Sequence, residues 1–270
     1  MLELIAKFGL FFGQPTVIVC IIVVGFLLGR EAVFGRALFL LLFTMIYNVY
    51  LKSIWQMPLP PPLEGWAFPS GHMHSAVVFW GWLAIEYRKI WYAELTFFLL
   101  CLIGYGIVYH GYHYPIDILG AVAFGSISLV LYSLLQRLPY FKQKPYRLGF
   151  FLTILGLIIT GLLPPEGRKP HMFQALGALI GFSAGWYLSQ KSKSLHFGYG
   201  QKILLVVFAV SGAFLIAFLA NHLPLSPKIL IFAKFLVVGL WVSTCKMVVG
   251  KLLRIKIENT AIPLTTNISS

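Results

Sequence analysis

His113-Tyr114-Pro115-Ile116-Asp117, followed by Ile118 to Gln136 without one charged side chain, is the stretch that decides the class of this chain. Proline tolerates the first position of a helix because its missing N–H has no intrahelical partner there, and Asp117 then falls in the first turn, where the helix dipole favours negative charge. The apolar run over 115–136 is long enough to cross the hydrocarbon core of a bilayer, about 30 Å thick. It predicts a transmembrane helix whose mouth carries an imidazole and a carboxylate. That carboxylate is the only aspartate among the 270 residues. A buried charge is costly unless it is paired, so His113 and Asp117, four residues apart, read as a histidine oriented by its aspartate.

Working outward, the same kind of run recurs at about 8–28, 37–51, 72–87, 91–109, 148–163, 172–189, 203–220 and 229–249. With 115–136 these predict an all-α, polytopic membrane helix bundle of about nine transmembrane helices, the third of them short. Composition agrees, with 59% hydrophobic and 11% charged residues. The run from Phe8 to Leu28 exceeds a signal-peptide core and lacks a small-residue cleavage site before Arg30-Glu31, so it is expected as the first span. The stretch 137–147, rich in Lys, Arg and Pro, divides an expected 1–136 core holding the motifs from a 137–256 extension of four helices, with a polar tail at 257–270. Gly177, Gly181 and Gly185 predict close helix packing in the seventh span.

A net charge of +13 could suggest a nucleic-acid partner, but the basic residues gather in short loops between apolar runs and no nucleic-acid motif is present. Arg30 and Arg36, Arg88 and Lys89, the group Arg137, Lys142, Lys144 and Arg147, then Lys191, Lys193 and Lys202, and finally Lys251, Arg254 and Lys256 fall on one side of the predicted topology. The positive-inside rule makes that side cytoplasmic. Both His113 and the upstream Pro69-Ser70-Gly71-His72 then face outward. Cys20, Cys101 and Cys245 lie in apolar runs without metal-ligand spacing and read as core thiols.

Ser70 is a good N-cap, which leaves the N–H groups of Gly71 and His72 free for an anion at the positive end of the helix. Lys52, on the same outer surface, adds a cation, and His110 in the outer turn could add another. Backbone donors, a lysine and two histidines suit an oxyanion such as phosphate. No metal or other cofactor is expected, because one aspartate without a carboxylate cluster offers few hard ligands for magnesium. Each motif has a plainer reading: Pro-Ser-Gly-His as a capped helix start, His113 with Asp117 as a structural pair, and His74 as a residue facing neighbours. Lys234 reads as a snorkelling side chain, Trp55, Trp66 and Phe68 as interfacial anchors, and Pro58, Pro60, Pro61 and Pro62 as a stiff extended segment at the mouth.

In these residues the chain resembles the type-2 phosphatidic acid phosphatase superfamily, the lipid phosphate phosphatases and their relatives. The family pattern has three blocks: a Lys followed after six residues by Arg-Pro, then Pro-Ser-Gly-His, then Ser-Arg, five residues, His, three residues and Asp. Here they align as Lys52 through Leu59-Pro60, Pro69-Ser70-Gly71-His72, and Gly106-Ile107 through His113 and Asp117. The resemblance covers roughly 45–125, and the last four spans resemble an extension of some bacterial members more weakly. Both family arginines are absent, since Leu59 and Ile107 stand in their places, and Gly106 replaces the family serine. Guanidinium forks grip phosphate bidentately, so each loss removes about 2 kcal/mol or more of binding.

The resemblance implies an enzyme in which His113 attacks phosphorus to form a phosphohistidine, Asp117 orients it, and His72 protonates the departing alcohol. Lys52, Ser70 and Gly71 would hold the phosphoryl oxygens. It implies a membrane lipid phosphate as substrate and a bacterial inner membrane as location, with the site facing outward. Three outcomes stay open: a phosphatase acting on a lipid phosphate or diphosphate, a headgroup transferase acting on phosphodiester lipids, to which His113–Ala121 is also similar, and a non-catalytic lipid-binding descendant.

Overall fold

The computed structural model describes residues 1–190 and 197–252. Lys191, Lys193, Arg254, Lys256 and the expected polar tail at 257–270 lie outside the described residues. The chain is all-α: α1 (Leu2–Gly13), α2 (Pro15–Leu28), α3 (Glu31–Trp55), α4 (Gly71–Tyr87), α5 (Ile90–Tyr109), α6 (Pro115–Arg137), the short α7 (Pro139–Gln143), α8 (Tyr146–Leu162), α9 (Pro170–Ser189), α10 (Tyr199–Ala220) and α11 (Pro227–Leu252). A single 3-10 turn, Pro165–Gly167, precedes α9.

All nine expected segments are helical, but fewer have the length and apolarity of a membrane span. Five helices do, namely α3, α5, α6, α10 and α11, and the bent pair α1–α2 makes six if counted as one span. The 17-residue α4 rises only about 25 Å. The first expected span is not continuous. Gln14 takes an extended backbone, as residues before proline do, Pro15 opens a new helix, and the two halves are bent by 51°.

Helix α3 is the centre of the bundle, with 72% of its apolar window buried against 17% for α10. It packs on α2, α4, α8 and α9. A cluster of aromatic rings from α2, α3 and α9 fills the space beside it, with Phe26 and Phe182 at 4.8 Å and Phe39 and Trp186 at 5.5 Å between centroids. The expected close packing of the glycine-rich helix is present, and its partner is α11. A Cβ on Gly177 or Gly181 would collide with the carbonyl oxygens of Phe232 and Leu236, so the two backbones meet where side chains are absent. Of the three cysteines, only Cys245 is buried; Cys20 and Cys101 lie on exposed helix faces, correcting their assignment to the core.

The two ends of the helices differ. At one end Arg36 approaches Glu86 at 3.9 Å, Lys246 pairs with Glu31 at 2.9 Å, and the Tyr132 hydroxyl donates to the Arg36 carbonyl at 2.8 Å. These contacts tie the start of α3 to the ends of α4, α6 and α11. The opposite end carries the C-termini of α3 and α5 and the N-termini of α4 and α6, and every candidate site residue lies there.

Candidate active site

The loop after α3 brings the first two blocks together. Rather than running extended, residues 57–67 fold back on themselves. Met57 accepts from the Ala67 N–H at 2.6 Å, Leu59 donates to Gly65 at 3.1 Å, and Pro58 bridges Trp66. Gly65 supplies the positive φ, +115°, that the reversal requires. Lys52, in the last turn of α3, closes this loop by donating to the carbonyls of Trp66 at 2.6 Å and Ala67 at 3.1 Å. Trp55 and Trp66 are exposed, as interfacial anchors are, whereas the Phe68 ring packs between Trp55 and Phe124 and lies over Gly120 of α6. Phe68 therefore docks the loop on α6 instead of anchoring at the interface.

Ser70 caps α4 as expected, its buried hydroxyl accepting from Met73 N–H at 3.5 Å. Its own N–H donates to the Asp117 carbonyl at 3.1 Å, a bond that joins the starts of α4 and α6 directly. The N–H groups of Gly71 and His72, in the first turn of α4, have no intrahelical acceptor. Asn48, on α3, completes the turn: its side-chain amide donates to the Pro69 carbonyl and to His74 Nδ1, both at 3.2 Å. His74 is fully buried, so it faces neighbours as expected, and its Nε2 finds no partner among the described residues. Asn48 lies outside the motif blocks, although a carboxamide within an apolar helix is a sign of an obligatory hydrogen bond.

His113 lies in the turn between α5 and α6, which Gly111 makes possible with φ +68°. Its Nδ1 donates to Asp117 Oδ2 at 3.1 Å, and the same oxygen accepts from the Tyr114 N–H at 2.9 Å. Asp117 is fully buried in the first turn of α6, and its second oxygen has no partner among the described residues. With Nδ1–H committed to the carboxylate, Nε2 of His113 carries the free lone pair. Burial pushes the His113 pKa below the usual imidazole value; the Asp117 hydrogen bond opposes this, while Lys52 and His72 reinforce it.

His72 and His113 line one cleft of about 500 Å³. Lys52 does not border this cleft, yet it lies close enough to act electrostatically on Asp117, His72 and His113. His110 is not brought to the cleft. Its Nδ1 bonds the Gly106 carbonyl at 2.9 Å, and its ring stacks on Tyr112. Leu59 and Ile107, which occupy the arginine positions of the family pattern, both line the cleft beside the histidines. Gly106 has its own reason to lack a side chain, since a Cβ there would lie 2.5 Å from the Ala6 carbonyl oxygen of α1.

One wall was not expected from the sequence. Gln14, Pro15 and Thr16, at the break between α1 and α2, border the cleft. The proline inside an apolar run was the available signal for that break.

No curated protein and no solved structure matched the chain. Residues 33–141 match the family model of the PAP2 superfamily, and that segment contains all three blocks. The part of the chain that carries the paired histidines and Asp117 is thus the part that is similar to the type-2 phosphatidic acid phosphatase superfamily.

Proposed function

We propose that the protein is an integral membrane phosphoryl-transfer enzyme that hydrolyses a lipid phosphate or diphosphate at the outer face of the membrane. The observation that carries this reading is the sharing of one cleft by His72 and His113, with Asp117 on the far nitrogen of His113. His113 Nε2 attacks phosphorus, and a P–N bond forms as the P–O bond to the lipid alcohol breaks. His72, protonated, gives its proton to the departing alkoxide. The imidazole of His113 gains positive charge on phosphorylation, and Asp117 stabilises it through Nδ1–H. Water then attacks the phosphohistidine, His72 takes its proton, and His113 leaves neutral with phosphate released.

In this scheme the free N–H groups of Gly71 and His72 hold phosphoryl oxygens at the start of α4, Ser70 fixes that turn, and Lys52 supports the developing charge from behind the loop. The outer orientation rests on the basic clusters, whose described members at the end of α4 (Arg88, Lys89), of α6 (Arg137) and of α11 (Lys251) lie at the helix ends opposite the cleft. A second reading has one specific observation in its favour. Leu59 and Ile107 leave the cleft without the guanidinium clamps that a doubly charged phosphate demands, which favours a phosphodiester lipid and transfer of its headgroup to a second lipid alcohol.

The test is incubation of the purified protein with labelled lipid monophosphates, diphosphates and phosphodiesters, reading released phosphate and new lipid products, with acid-labile label trapped on the protein by rapid quench. His113→Ala is expected to abolish both label and turnover. Turnover that survives in His113→Ala would refute the phosphohistidine route; a new phosphodiester product with little free phosphate would select the transferase.

A further inference from the structure

Residues 10 and 13–16, at the α1–α2 break, border the cleft yet precede the segment matched to the family. Their setting is unusual for a phosphate site. No Lys or Arg is among the described residues that line the cleft. Besides the histidines, the polar side chains of its lining are neutral: the Gln14 carboxamide and the Thr16 hydroxyl, both exposed, and Tyr112, in the same lining as the apolar Leu59 and Ile107. Among the described residues, neither the Gln14 nor the Thr16 side chain makes a hydrogen bond within the protein, so both are available to a ligand. Together they offer an N–H donor, an O–H donor and two acceptors. The 51° bend holds them at the cleft, because Pro15 fixes the start of α2 and the extended backbone of Gln14 turns the chain there.

Such a wall can bind a polar head but cannot neutralise much charge. A phosphomonoester carries about two negative charges near neutral pH, whereas a phosphodiester carries one. We propose that Gln14 and Thr16 are specificity-determining residues that hydrogen-bond the polar headgroup esterified to the phosphate, which a phosphomonoester lacks, and that the site prefers a phosphodiester lipid to a phosphomonoester. The inference rests on the phosphoryl-transfer reading of this cleft, selects within it the phosphodiester form over hydrolysis of a monoester, and adds the residues that choose the substrate. A break serving only to bend the helix would make no such distinction between ligands.

The test is equilibrium binding of dihexanoyl phosphatidylglycerol and dihexanoyl phosphatidate to the purified full chain in detergent near neutral pH. Wild type, Gln14→Ala, Thr16→Val and Thr16→Ser are compared. Wild type is expected to bind phosphatidylglycerol more tightly. Gln14→Ala and Thr16→Val should each weaken that binding by about tenfold, the worth of one hydrogen bond to the headgroup, while phosphatidate, which has no group there, changes by less than about threefold. Thr16→Ser, which keeps the hydroxyl, should bind as wild type. Tighter phosphatidate binding by wild type, equal losses for both lipids, or a Thr16→Ser loss as large as that of Thr16→Val would each overturn the proposal. Because binding is read without turnover, the two failures separate. A protein that shows this binding pattern and turns over no lipid refutes the enzyme and leaves the preference standing. His113-dependent turnover of phosphatidate with phosphatidylglycerol unbound does the reverse.

Discussion

Replacing Asp117 by Asn removes a charge while keeping the shape of the side chain. In the native protein one oxygen, Oδ2, accepts both the His113 Nδ1–H at 3.1 Å and the Tyr114 N–H at 2.9 Å. An asparagine can place its carbonyl at that point and its NH2 where Oδ1 now lies without a partner. Both hydrogen bonds survive as neutral ones, and His113 keeps its tautomer. The change is therefore read in charge. Turning a charge-assisted bond into a neutral one costs about 1.5 kcal/mol in the ground state. In the proposed phosphorylation His113 becomes cationic, and a unit charge at 3.1 Å in a medium of effective dielectric about 20 is worth about 5 kcal/mol. Turnover of Asp117→Asn should thus fall by between about tenfold and several thousandfold. The assay is release of labelled product from a lipid substrate of the wild-type protein, with His113→Ala as the zero. Thermal unfolding in detergent should shift by no more than a few degrees, the size of that ground-state loss. An Asp117→Asn protein that turns over within about threefold of wild type, beside an inactive His113→Ala, would refute the idea that the carboxylate charge supports the nucleophile.

Three further outcomes follow from the same geometry. The proposed attack by His113 needs its neutral form, and burial lowers its pKa, so the neutral form persists to lower pH than for a free imidazole. The acidic limb of kcat/KM should lie below about 6.5, and a limb above that value would contradict the burial argument. Asn48→Leu strips the Pro69 carbonyl and His74 Nδ1 of their donor in a buried setting, which should cost about 2–3 kcal/mol of stability by thermal unfolding and reduce turnover; unchanged stability would mean that the turn is held by its other bonds. Gly106→Ser restores the family residue but meets the Ala6 carbonyl, so it should destabilise the α1–α5 contact by about 1–3 kcal/mol, and a neutral or stabilising effect in thermal unfolding would count against that close approach.

Much of the site was legible because it depends on local rules. Ser70 and Pro115 mark helix starts by their capping chemistry, and the i,i+4 spacing brings His113 to Asp117 on the first turn of α6. The class of the protein was legible for a similar reason, since hydrocarbon admits little except long apolar helices. Its place in the pattern predicts Lys52 as a phosphate ligand, and its ammonium also holds the Trp66 and Ala67 carbonyls, bonds that only the returning loop creates. His110 shares a turn with His113 in sequence, but its ring bonds back to α5 and stacks on Tyr112 instead of entering the cleft.

The sequence by itself determined an all-helical membrane chain, the two helix mouths bearing His72 and His113, and the pairing of the latter with Asp117. Each follows from neighbours within one turn of helix or from the length of an apolar run. Only the tertiary structure decided that the two mouths share a cleft, that Ser70 and Asp117 are bonded to each other, and that Gln14 and Thr16 border the cleft. Those contacts join residues roughly 40 to 100 positions apart. Their geometry is set by how α1, α3, α4 and α6 pack, a matter of glycine positions and ring shapes that no local pattern encodes.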